Sequence, residues 1–281
     1  MLNAANEIGN RIPFFAVRRG YHNRYGRCPV YNTPKMNLKL VLSYDGTDFH
    51  GWQYQPNRRT VSGEIMRVLS HLIDGKYKLV GAGRTDSGVH AINYVASVKV
   101  NGRLRVRISD LRYKLNRMLP EDIYVKSVEV VPDEFHARHS AISKTYRYLF
   151  SGEYDPLMRR RVWHVRTLPD VPILNEGMKV LLGTHNFKPL SADERENGIC
   201  TLYDITFGYT GRYVFMDVKG DRFLRKMVRF LASLSVMLTE GEVSVEDVIR
   251  SLETGERINK LTPAPPWGLY LLEVEYPREF S

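Results

Sequence analysis

Gly81 to Ala91 read GAGRTDSGVHA, directly after the apolar run YKLV, and these eleven residues choose between two architectures. A glycine-rich turn that leaves a strand and opens a helix belongs to a phosphate-binding parallel sheet. One that leaves a strand and enters another belongs to an antiparallel sheet. The dinucleotide fingerprint needs a third glycine where this chain has Asp86. A P-loop needs Lys and then Ser or Thr, but Gly88 is followed by Val89 and His90. Beyond the turn, INYVASVKV (92–100) reads as a strand. The element is strand–turn–strand, and it carries Arg84, Thr85 and Asp86 on a glycine-flexed loop.

That loop has two readings. An Asp near an Arg stays ionised, and a partly dehydrated carboxylate can serve as nucleophile or base. The plainer reading is an Asp-Ser-Gly turn with a surface ion pair.

Outward from the loop the pattern is regular. NLKLVLSY (37–44) alternates and closes on Asp45-Gly46, a strand and its turn. Val61, Ile65, Val68, Leu69, Leu72 and Ile73 keep helical spacing, with Thr60 as N-cap and Gly75 as the stop. YKLVGA (77–82) is a strand. Ser109 is placed to cap a helix carrying Leu111, Leu115, Met118 and Leu119, ended by Pro120, and DIYVKSVEVV (122–131) is the next strand. This β-α-β-β-α-β order is the split arrangement of ferredoxin-like folds.

The second half repeats the outline without repeating the sequence. KTYRYLF (144–150) is a strand, followed by a helix around 173–183 and a hairpin about Gly211 built from 200–210 and 212–220. A long helix is expected over 222–239. A shorter one over 245–254 opens with Ser244 and Asp247 in capping-box spacing, and LYLLEVEY (269–276) closes the chain as a strand. The expected fold is α/β (α+β), with two ferredoxin-like halves, 36–143 and 144–281, sharing one continuous, mostly antiparallel sheet. No flexible linker separates them.

Composition sets wide bounds. At 281 residues the chain buries a sizeable core, and no apolar run is long enough to span a bilayer. Cys28 and Cys200 make neither a metal quartet nor a disulfide framework, which fits a reducing compartment. The net charge of +10 favours an anionic partner. Half of it sits in residues 1–35, where six cationic side chains face Glu7 alone. This basic extension lacks the serines of a transit leader. It reads as a non-native or loosely ordered extension ahead of Met36, or as an RNA-binding arm.

Several other clusters carry chemistry or resemble it. His136 and His139 have a metal-site spacing but no Cys or carboxylate set to complete it, so no metal is expected. Asp45, Asp48 and His50 lie in SYDGTDFHGWQ, which reads first as a strand and its turn. Arg222, Arg225, Lys226 and Arg229 recur at helical spacing as one cationic stripe, either a solvated face or a phosphate track. Arg229 borders the apolar face of the same helix, so it can instead turn inward to a carboxylate. In KTYRY, Tyr146 and Tyr148 alternate with Lys144 and Arg147, an expectation of aromatic and cationic residues on opposite faces of a base-binding strand.

Taken together, YDGTDFHGWQ (44–53), GAGRTDSGVHA (81–91), FHARHSA with KTYRY (135–148), FLRKMVR (223–229) and APPWGLYL (264–271) resemble, in order, the TruA-type family of tRNA pseudouridine synthases. The resemblance covers 36–281 and none of 1–35. It implies a cytoplasmic isomerase that converts uridine to pseudouridine in the anticodon arm of tRNA, with no cofactor and no metal, acting as a homodimer. It implies Asp86 as the catalytic carboxylate, Arg229 as its partner and Tyr146 over the base. Arg84 is associated with the target nucleotide and Leu269 with the pocket wall. Read as a phosphate track, Arg222, Arg225 and Lys226 would be substrate-binding residues that face the RNA. Whether Asp86 attacks ribose or base, or takes a sugar proton, stays open. Departures from the family pattern are Ser87 for Ala, Ser233 for Gly, and Cys200 where an Arg contact to RNA is frequent. The loop SADERENG (191–198) is acidic for a surface facing RNA and is expected to point away.

Overall fold

The computed structural model describes residues 35–192 and 197–280. Half of the acidic loop (193–196) and all but the last residue of the basic extension thus lie outside the described residues. The first six elements are β1 (Lys35–Tyr44), α1 (Val61–Leu72), β2 (Ile73–Gly81), β3 (His90–Leu104), α2 (Ile108–Met118) and β4 (Ile123–Val131). The strands among them lie in the order β4-β1-β3-β2, with each neighbouring pair antiparallel. Strand period decides which side is buried. Leu38, Leu40 and Leu42 of β1 point to one face and are almost fully buried beneath α1 and α2. α1 follows from local chemistry, because Thr60 Oγ1 accepts from the Gly63 N–H at 3.2 Å. Val61, Ile65, Val68, Leu69 and Leu72 form its buried stripe. Each such side chain contributes about 1.5–3 kcal/mol on leaving water.

The second half supplies β5 (Ser143–Ser151), β6 (Trp163–His164), α3 (Val171–Gly177), β7 (Gly183–Asn186), β8 (Ile199–Thr210), β9 (Tyr213–Gly220), α4 (Met227–Thr239), α5 (Val245–Thr254) and β10 (Leu269–Glu275). Its strands lie in the order β10-β5-β9-β8, the same sequence of positions as in the first half, with β7 added at the edge and β6 beside β5. The two sets form one ten-stranded sheet, as the period-2 segments imply. They join where β10 runs parallel to β3, Tyr270 opposite His90 and Leu271 opposite Ala91. β2 occupies the same edge of β3 farther along, from Ala96 to Leu104. The seam therefore falls at the first residues of β3, where the glycine-rich loop ends.

Local signals place α5 and the β8–β9 hairpin as expected. Ser244 and Asp247 form both bonds of a capping box, and Gly255 closes the helix in the left-handed region at φ 78°. Four other details differ. α1 stops at Leu72 and runs straight into β2, so Gly75 is a ladder residue opposite Gly102 rather than a helix stop. α2 begins two residues earlier than a Ser109 cap requires, with Arg107 at the cap position and no side-chain cap bond. Ser109 Oγ turns instead to Asp110. The helix around 173–183 breaks after Gly177 into a 3₁₀ turn, Met178–Leu181, at the residue with the poorest helix propensity in the segment.

The fourth difference bears on function. α4 starts at Met227, not at 222. Met227 to Val236 are all buried, and a helix enclosed on every side cannot carry a solvated cationic face. Residues 222–226 form a non-helical approach that ends with Lys226 at φ 60°. Arg222, Arg225 and Lys226 keep access to solvent there, while Arg229 alone is swallowed by the helix packing. The single stripe does not exist. Among the described residues no helix is long and apolar enough to cross a membrane.

Candidate active site

Residues 82–89 connect β2 to β3, and this connection is held from below by YDGTDFHGWQ. The Trp52 N–H donates to the Thr85 carbonyl at 3.3 Å, and the Gly88 N–H and Ser87 Oγ both donate to the Phe49 carbonyl, at 3.3 and 3.0 Å. Thr85 Oγ1 shares a 2.9 Å hydrogen bond with the buried Tyr44 hydroxyl, and Tyr94 donates its hydroxyl to the Gly83 carbonyl. Close approach explains two glycines. Gly51 has φ 82°, and a Cβ there would stand 2.4 Å from the Thr85 carbonyl oxygen. Gly88, inside the loop, has φ 80°, which lets the turn close with the Val89 N–H donating to the Asp86 carbonyl at 3.2 Å.

His90 anchors the loop's far end and is buried. Its Nδ1 accepts from the Gly46 N–H at 3.1 Å, while Nε2 lies 3.0 and 3.1 Å from the carbonyls of Arg160 and Trp267, which require it to donate. Burial pushes the imidazole below its ordinary value of 6.5, and the nearby Asp45 only partly opposes this. The folded chain thus refuses a proton that the unfolded chain accepts. His90's contribution to stability is full above about 6.5 and is lost as pH falls toward the folded value. Urea unfolding at about pH 7.5 and about pH 5.5 should show a smaller acid loss in His90→Gln than in the parent chain. Equal losses would remove His90 from the account. His136, also lowered by burial, leaves a residual loss in both.

Asp86 emerges at the floor of a cleft of about 1370 Å³ between the two halves of the sheet. Arg229 reaches it from α4, with Nη1 donating to Asp86 Oδ2 at 3.0 Å and Nε donating to the Ala264 carbonyl at 2.6 Å. The guanidinium side chain is 11% exposed and the carboxylate 32%, so one oxygen is tied to a buried cation and the group still opens to the cleft. The Tyr146 ring lies against Phe223 edge-on, 5.1 Å between centroids. Burial and then the charge of Asp86 push its hydroxyl well above the ordinary tyrosine value, so it stays protonated at neutral pH. Leu269 closes the cleft from β10.

Arg84 stands at the loop's crest, exposed, with no hydrogen bond or ion pair of its side chain among the described residues. Asp86 is therefore held by Arg229, 143 positions away, and not by its neighbour in the motif. Arg222, Arg225 and Lys226 also line the cleft, from the non-helical approach to α4.

The faces of β5 are not those expected. Lys144 and Tyr146, two residues apart, both line the cleft, and only Arg147 turns away. Its Nε and Nη2 donate to Asp217 at 2.8 and 2.7 Å, and its guanidinium covers Phe215. Sequence reasoning passed over Arg138, His139 and Lys144 as site residues. For Lys144 the signal is the period of KTYRY, which puts every second residue on one face, whereas Arg138 and His139 lie ahead of that strand and carry no such local signal. Cys200 is fully buried in β8, opposite His185, and offers no surface to an RNA.

Other sequence candidates are structural. Asp45 meets His90, Thr47 and Arg161, and Asp48 meets Arg160. His136 Nδ1 accepts from the backbone N–H groups of Arg138 and His139. Among the described residues no group of three or more His, Cys, Asp or Glu is placed to hold a metal ion.

A family model described as tRNA pseudouridine synthase matches residues 40–140 and 178–277. The chain is 38% identical over 251 residues to the tRNA pseudouridine synthase A of Methylacidiphilum infernorum, covering 88% of this chain and 98% of that protein. It is 38% identical over 246 residues to the protein of that name from Dictyoglomus turgidum, covering 85% and 99%. With that of Geobacter sp. strain M21 it shares 37% over 246 residues, covering 86% and 99%.

Proposed function

The chain belongs to the tRNA pseudouridine synthase family, and from that premise we propose that it isomerises uridine to pseudouridine in the anticodon arm of tRNA, with Asp86 as its catalytic carboxylate. One observation carries the assignment of the site: a carboxylate paired with buried Arg229 opens into a cleft lined by Tyr146, Leu269 and a surplus of cations. The reaction breaks the bond between N1 of uracil and the ribose, turns the base and rejoins it through C5. The displaced base carries negative charge while it turns. Fixed cations and an aromatic wall hold it better than bulk water does, since they need no reorganisation when the charge appears. Asp86 starts the sequence, by attack on ribose or base or by taking a sugar proton. Tyr146 covers the base and relays the last proton, accepting it from C5 while releasing its own toward Asp86. No oxidation state changes, so the chemistry calls for no redox cofactor.

A uridine stacked in an RNA stem must turn out before Asp86 reaches it, at a cost of a few kcal/mol. The unpartnered Arg84 fills the space it leaves. A stem-loop with a fluorescent base analogue beside the target should show about tenfold less extrusion with Arg84→Ala than with the parent chain. Unchanged extrusion would remove Arg84 from this role.

The decisive test of the function uses tRNA tritiated at uracil C5. Label released from the anticodon arm supports the whole reading, release elsewhere overturns the site on the RNA, and no release from bound tRNA overturns the reaction. The same family premise supports a homodimer acting in the cytoplasm, with the tRNA laid across both chains. A single-chain mass by light scattering at tRNA-binding concentrations would overturn the dimer.

A further inference from the structure

Among the cations of the cleft, one group gathers about Lys144 and is distinct from the Asp86–Arg229 pair. Lys144 sits two residues before Tyr146 on the same face of β5 and ends beside the catalytic loop. A Cβ on Gly83 would lie 3.9 Å from both its Cε and its Nζ. The side chain is half-buried, yet among the described residues its ammonium makes no hydrogen bond and no ion pair. Arg138 and Arg222 press on it as like charges, and among the described residues Asp221 is the one opposing carboxylate that acts on it. That carboxylate is already engaged: its Oδ1 accepts from the backbone N–H groups of Thr201 at 2.9 Å and Arg222 at 2.6 Å.

A partly dehydrated ammonium whose three donors meet no partner among the described residues, with two cationic side chains near it, gains from a bound anion. Burial, Arg138 and Arg222 together lower its proton affinity, and the charge of a bound anion opposes them. The anion must be singly charged or more, rich in acceptors, and present beside the nucleotide at Asp86. A phosphodiester of the RNA meets each condition.

We propose that Arg138, Lys144 and Arg222 form a subsite for one backbone phosphate of the bound tRNA, adjacent to the nucleotide presented to Asp86. The subsite rests on the reading of the chain as an RNA isomerase and adds to it a fixed register. Three cations from different segments of the chain grip one linkage, so the strand enters the cleft with one nucleotide opposite the carboxylate. The exposed Arg84 and Arg225, which also line the cleft, add attraction.

The test pairs variants with RNA in which one phosphate has lost its charge. Stem-loops carry a single methylphosphonate, stepped across the target uridine and its neighbours. With the parent chain, one linkage near the target should weaken binding about tenfold when neutralised. With Lys144→Met the same replacement should cost less than about twofold, because the partner of that charge is gone. Lys144→Met alone should weaken binding about tenfold and reduce the slope of log affinity against log salt by about 0.7–0.9. Lys144→Arg should restore most of both, and Arg138→Gln provides a second variant with the same coupling. Strictly additive effects at every linkage would overturn the subsite, as would a loss in turnover with affinity and salt slope unchanged. Tritium release by the parent chain is scored separately. Its absence would sink the isomerase while a coupled linkage still upheld the phosphate subsite.

Discussion

Asp86→Asn should release tritium from C5-labelled tRNA at least about a thousandfold more slowly than the parent chain while binding that tRNA no less tightly. The asparagine has nearly the shape of the carboxylate, so the loop held by Trp52, Phe49 and Tyr44 has no reason to move. What disappears is the charge and the basic oxygen. Binding holds because Arg229 loses its carboxylate and the cleft becomes more positive toward a polyanion. The cost in stability is about 1–2 kcal/mol, from a half-open ion pair that leaves a buried guanidinium less well matched. Single-turnover rates and filter-binding affinities together decide the outcome. A variant that retained a tenth of the parent rate would show that another group does the chemistry.

Arg229→Met is the second large effect, and it divides between fold and rate. Arg229 ties Asp86 to the Ala264 carbonyl, and its own carbonyl accepts the Ala264 N–H at 3.0 Å. Methionine keeps the length and suits the apolar packing of α4, so the loss isolates the guanidinium. We expect about 2–3 kcal/mol less stability, below the range for fully buried pairs because Asp86 is a third exposed. The rate should fall by about a hundredfold or more, since the carboxylate is no longer aimed. Arg229→Lys should recover charge without the two-pronged geometry, and so only part of the rate. Urea midpoints and single-turnover release measure the two losses separately. A fully active Arg229→Met would mean that Asp86 needs no partner.

Much of the fold was readable because its signals are local. Alternation in 37–44, the 3.6-residue spacing after Thr60, the Ser244–Asp247 box and the Gly211 hairpin each act within a few residues. Rejecting the phosphate motifs needed only Asp86 and the residues after Gly88. What escaped was tertiary in origin. Nothing in FLRKMVR says that the helix starting there is enclosed on all sides, yet that enclosure moves its first residue to Met227 and puts Lys226 in the left-handed region. The pairing of Asp86 with Arg229 spans 143 positions, so spacing alone could not choose it over Arg84. The resemblance to the family supplied that choice. Arg138 and Lys144 gain meaning only when they meet Arg222 across the cleft.

The doubled strand order has a consequence for how labour is divided along the chain. The connection between second and third strands is an eight-residue platform in one half, between Gly81 and His90, and the two-residue turn Gly211–Arg212 in the other. A scaffold that repeats itself thus bears a single workplace. The copy with the short turn is not idle, because it lends Tyr146, Lys144, Arg229 and Leu269 to a carboxylate it does not own. Neither copy is a reduced version of the enzyme. On the proposed assignment catalytic competence belongs to the seam, and a chain divided there would part the carboxylate from its guanidinium.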